Sequence, residues 1–202
     1  MRVAAIDIGS FGKLGWAIDH PWACGDELEG CVNALVEALN QGPLALGFEA
    51  PQFVPLRDNQ ENLTKARCGE GARPFSAGAG AAVLVTSLVT VPYVLKGLRE
   101  GVPEATVTFD WRQPPTKPRE LLVYEAFVTN QQNNAPNRHV RDAKLAIAAF
   151  RLGIEDPQFE SSVTVPTGFN LLGAALLRTG WSTDIGLLSA QCLVVAPAAV
   201  AG

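Results

Sequence analysis

The sequence predicts an α/β protein built on a mixed sheet. Two observations carry this. Short β-rich runs alternate with helical periods in the order hairpin, helix, strand, helix, strand, helix, and that alternation favours parallel pairing after the hairpin. The chain is also apolar enough to bury a core. Of 202 residues, 48% are hydrophobic and 18% charged, which excludes wholesale disorder. The length suits a single domain.

Residues 3–8 and 14–19 are β-rich and are joined by Gly9-Ser10-Phe11-Gly12-Lys13, a glycine-containing turn that predicts a β-hairpin. Residues 21–25 carry a weaker signal for a third strand. Residues 26–41 read as a helix, because Leu28, Cys31, Val32, Leu35 and Leu39 fall on one stripe. Glu27 and Glu29 suit its positive end, and Gly42-Pro43 stops it. Residues 44–49 form a strand ended by Pro51. Residues 51–75 are polar, contain Gly and Pro and follow no period, so they predict a long inserted loop.

The stretch from Pro74 to Leu95 carries no charge and approaches the roughly 20 apolar residues of a membrane span. Ser76, Gly78, Gly80, Thr86, Ser87, Thr90 and Pro92 interrupt it. The expectation is a helix buried on most of its sides in a protein without a membrane. Strands follow at 105–111 and 121–128, then a helix at 138–152 and a short helix at 170–178. Residues 187–195 fit a strand or a helix. The core is expected over about 1–153, with a C-terminal extension over 157–202.

The charge balance is 20 acidic against 16 basic residues, which disfavours a surface made for nonspecific nucleic-acid binding. The four cysteines form no CxxC pair and only two histidines accompany them, so no zinc-finger spacing exists. Asp7 interrupts what would be the apolar run of an export signal. The expected location is cytoplasmic, with reduced thiols.

Four carboxylates stand in awkward places. Asp7 and Glu49 end apolar runs, at the strand ends where α/β sheets place ligands. Glu125 interrupts an apolar strand face made of Leu121, Val123 and Phe127. Asp142 shares its helix face with Leu145, Ala146 and Ala149, and His139 precedes it by one turn. A carboxylate on an apolar face is costly unless paired, neutralised or metal-bound. Each has an ordinary explanation. Asp7 can satisfy its turn, Glu49 can pair with Arg67 or Arg73, Asp142 can cap a helix, and Glu125 can be solvated on an edge. Taken as a set they predict a site for hard divalent cations.

Asp7 in VAAIDIGSFGKLGWAID, Glu49 in LALGFEAP and Asp142 in HVRDAKLAIAAF resemble the three acidic motifs of ribonuclease H-like nucleases. The last motif is similar to the Holliday-junction-resolvase branch, where HxxDA opens the final helix, and the chain also resembles an uncharacterised family of predicted nucleases with this fold. The resemblance implies a ribonuclease H-like mixed sheet, antiparallel hairpin strands followed by parallel ones, flanked by helices. It also implies two Mg²⁺ or Mn²⁺ ions, with Asp7 bridging them and Glu49 and Asp142 completing the shells. The implied chemistry is phosphodiester hydrolysis, on nucleic acid or a small phosphodiester. Glu125 is added from the residue reading as a ligand or a neighbour of one.

Lys65, Arg67, Glu70 and Arg73 lie in the inserted loop. They fit either phosphate recognition by Arg67 and Arg73 or a solvated loop with a local Glu70–arginine pair. Ser10, Lys13 and His139 are further substrate-binding candidates. Lys13 follows Gly12, but Leu14 stands where a phosphate loop needs Ser or Thr. Two other functions compete with the nuclease. Actin-like kinases share the Asp-x-Gly hairpin but use two copies of the fold, which a homodimer would supply. The other is a non-catalytic interaction module.

Overall fold

The computed structural model describes residues 1–9, 13–71, 74–128 and 137–197. In chain order the elements begin with β1 (Arg2–Ile8), β2 (Leu14–Ile18), β3 (Ala23–Gly25), α1 (Leu28–Gln41) and β4 (Leu44–Glu49). There follow β5 (Phe53–Pro55), α2 (Gly78–Gly101), β6 (Thr106–Thr108), β7 (Glu120–Ala126) and α3 (Arg138–Ile154). The last are β8 (Gly168–Asn170), α4 (Leu171–Arg178) and β9 (Val194–Val195).

The main sheet has the order β3-β2-β1-β4-β7-β6. The hairpin β1–β2 and the β2–β3 pair are antiparallel, whereas β1–β4, β4–β7 and β6–β7 are parallel. The α/β class with a mixed sheet is therefore as the alternation predicts. β6 pairs with the first half of β7, and β9 pairs parallel with its last two residues, Glu125 and Ala126. The C-terminal segment thus returns to the sheet and completes its edge.

Side chains alternate across a strand, so each face of the sheet makes its own core. Ala4, Ile6, Ile8, Leu46, Phe48 and Val123 pack against α1, α2 and α4. Val3, Ala5, Ala45, Leu122, Tyr124 and Ala126 pack against α3, through Ala143, Ala146, Ile147 and Phe150. Asp7 belongs to the α3 face by its parity with Val3 and Ala5, and the β1–β4 register sets it opposite Glu49.

The uncharged stretch forms α2, but it is not buried on most sides. Ser87, Val91, Val94, Leu95 and Leu98 make one buried stripe, and Trp181 Nε1 donates to Leu95 O at 2.8 Å. Val85, Leu88, Val89 and Tyr93 are half or more exposed. The reason is geometric: the sheet, α1 and α4 cover only one side of the helix. Among the described residues α2 is the one helix long and apolar enough to cross a membrane by length and composition.

The inserted loop is folded rather than open. β5 pairs antiparallel with β8 in a small second sheet, and Thr164 N donates to Cys68 O at 3.0 Å. The loop and the C-terminal segment therefore form one layer beside the carboxyl end of the main sheet.

Candidate metal centre

Three elements bring the acidic residues together. Asp7 stands near the end of β1 and Glu49 ends β4, side by side in register. Asp142 lies in the second turn of α3, which begins at Arg138, so it does not cap the helix. Each of the three offers an oxygen within 4.8 Å of the others.

The close approach of α3 depends on two glycines. A Cβ on Gly15 would lie 2.2 Å from Val140 N and 2.3 Å from His139 C. A Cβ on Gly9 would lie 2.6 Å from His139 Cε1. Backbone without side chains at both hairpin positions lets the first turn of α3 settle on β2, and this sets His139 and Asp142 beside Asp7.

His139 Nδ1 is 2.6 Å from Asp7 Oδ2, and Arg141 Nε is 3.7 Å from Asp142 Oδ1. Burial raises the Asp7 carboxyl, while hydrogen bonds from Glu49 and His139 draw it back. Glu49 is pushed up further. Burial is the main cause, and the nearby Asp7 charge and a hydrogen bond with Asp7 add to it, while the Val128 backbone N–H draws it down. Glu49 Oε2 is buried and has no hydrogen-bond partner among the described residues.

The donor set fits a hard divalent cation. It is all oxygen, and one oxygen is buried and unpaired. A bound ion would compete with protons for these carboxylates.

Glu125 is not part of this group. The β4–β7 register sets it opposite Phe48, and Ala126 is next in line, so its side chain leaves the sheet on the α1–α2 face. There Arg67 Nη2 and Nη1 donate to Glu125 Oε1 and Oε2 at 2.5 and 2.9 Å. Gln52 N adds a bond to Oε2 at 2.8 Å.

Arg67 is likewise not available to a phosphate. It is 2% exposed. Besides Glu125 it binds Glu70 through Nε at 2.9 Å and Phe53 O through Nη1 at 3.1 Å, and its guanidinium lies 4.5 Å from the centre of the Phe53 ring. The local Glu70–arginine pair exists, but inside the protein rather than in a solvated loop. Lys13 is exposed at the hairpin. Ser10 and Arg73 lie outside the described residues.

Asp7 and Glu49 also form one wall of a cleft of about 120 Å³. Its other walls are Ile8, Ala50, Pro51 and Glu70, then Phe75 before α2 and Ala79, Gly80 and Val83 in its first turns, and Ala126, Phe127 and Val128 at and beyond the end of β7. These apolar walls have no chemical signature in the sequence. A hollow of about 190 Å³ between the β8 region and residues 189–192 contains none of the three carboxylates.

The fold and the site thus define an α/β protein with a carboxylate cluster at the carboxyl end of its sheet. Compared with protein-family models, curated proteins and solved structures, the chain matches none.

Proposed function

We propose that the protein is a metal-dependent phosphodiesterase of the ribonuclease H-like type. The observation that carries this is the Asp7–Glu49–Asp142 cluster, in which Glu49 keeps a buried oxygen without a partner. The strand arrangement supports it too, three antiparallel strands leading into parallel ones, as the sequence resemblance implies.

Asp7, Glu49 and Asp142 would hold Mg²⁺ or Mn²⁺. Such ions supply a water of lowered pKa and a Lewis acid at the leaving oxygen. The chain's own residues do the rest. His139 holds Asp7 in one orientation through its 2.6 Å contact. The glycines at 9 and 15 keep α3, and so Asp142, against the hairpin. The ordered layer made by the inserted loop encloses the site on one side.

Titration calorimetry with Mn²⁺ tests the reading. Binding is expected in the natural protein and is expected to disappear in Asp7→Asn. Labelled single-stranded, duplex and branched nucleic acids should be cleaved only with a divalent ion. Absence of Mn²⁺ binding would leave the interaction module as the better account, and a thermal response to ATP alone would favour the kinase-like one.

A further inference from the structure

The cleft beside the carboxylates bears on what kind of phosphodiester fits, an inference that rests on the metal-site reading. A phosphate that those carboxylates received through an ion would lie at the mouth of the cleft, within reach for one of its two groups, because Asp7 and Glu49 belong to both. The walls are Ile8, Pro51, Phe75, Val83 and Phe127, with Glu70 behind them. Among the described residues no Lys, Arg or His lines the cleft. The buried cation close by, Arg67, is consumed by Glu125 and Glu70.

Beyond the carboxylate end, the described walls of this space are apolar carbon and offer no cationic side chain to a second phosphate. An uncharged flat group would instead gain apolar and aromatic contact. The space of about 120 Å³ is too small for a base pair. We propose that this cleft seats an uncharged planar group joined to the reacting phosphate. That group is either a nucleobase freed from pairing or the aromatic arm of a small phosphodiester.

Fluorescence anisotropy tests this with Ca²⁺ in place of Mn²⁺, so that binding is read without turnover. The probe is a short fluorescein-labelled oligothymidylate, compared with the same strand in duplex and with an abasic strand. Bis(p-nitrophenyl) phosphate serves as competitor. The single strand should bind at least about tenfold more tightly than the other two, the size of effect that one seated base gives. Competition by the small diester at low concentration, with weak oligonucleotide binding, would assign the seat to the small molecule.

Two variants narrow the cleft, Val83→Trp from its wall and Ala79→Phe from its exposed mouth. Both should lose about tenfold in affinity for whichever probe binds while keeping calorimetric Mn²⁺ binding. Equal affinity for single strand, duplex and abasic strand, or unchanged affinity in both variants with Mn²⁺ binding intact, would overturn the inference and leave the metal site standing. Loss of Mn²⁺ binding in the natural protein would remove both.

Discussion

Two groups of carboxylates lie at the same end of this sheet, and they are built differently. Glu125 and Glu70 share one guanidinium, and every Arg67 nitrogen in the group has a near acceptor. Asp7, Glu49 and Asp142 face one another with a histidine contact and a more distant arginine, and one Glu49 oxygen is unpaired. The Arg67 group is fully buried, whereas Glu49 and Asp142 are half-buried beside a buried Asp7. Compensation differs as well. The Arg67 group supplies its own countercharge and anchors a loop, whereas Glu49 Oε2 of the Asp7 group has no partner among the described residues.

The sharpest way to break the comparison is to remove the internal cation. Arg67→Met should cost about 3–5 kcal/mol, because it leaves Glu125 and Glu70 buried without their partner. Urea denaturation would measure it. A loss near zero would mean that the two clusters are not different in the way described.

The second prediction adds a divalent cation to the other group. Mn²⁺ at a hundredfold excess over its Kd should stabilise the protein by about 2.7 kcal/mol, a rise of roughly 5–11 °C in Tm for a chain of this size. Asp7→Asn should abolish the rise, and Arg67 should play no part in it.

The third concerns Glu49 without metal. Its carboxyl titrates well above the ordinary range in the folded protein, mainly through burial. A raised folded value means that its contribution to stability is complete below the unfolded carboxylate pKa of about 4.3. That contribution is then lost as pH rises through the folded value. Glu49→Gln keeps the shape of the protonated acid and should remove this fall, leaving the metal-free protein about 1 kcal/mol more stable at neutral pH. Thermal melts across pH check it. An unchanged profile would show that Glu49 is ionised and compensated.

The two groups were also unequally legible in the sequence. Asp7 and Glu49 each end an apolar run, and Asp142 follows the helical period, so their placement needs only local counting. The hairpin, α1, β4, β7 and α3 were legible for the same reason. Glu125 is different. Its face is decided by register against β4, where it meets Phe48 rather than Glu49, and register between strands so far apart leaves no mark in either. Arg67 sits in a polar stretch that looks like a solvated loop until β5 finds β8, more than a hundred residues away. β8 and β9 are three and two residues long, too short to show a period. The outer face of α2 misled because apolar composition predicts burial, but only neighbouring elements can provide it.

The smallest effect belongs to Lys13, which tests whether the Asp7 group needs help from the hairpin. An exposed lysine away from buried contacts should change stability by no more than about 0.5 kcal/mol when replaced by alanine. If Lys13 only meets solvent, Lys13→Ala will also leave Mn²⁺ binding and substrate affinity unchanged. If it steadies a phosphate at the mouth of the site, KM will rise and the rise will shrink as salt screens the charge, while Mn²⁺ affinity stays constant. Salt-dependent kinetics on the two proteins separate these outcomes, because a structural role would move stability rather than the salt dependence.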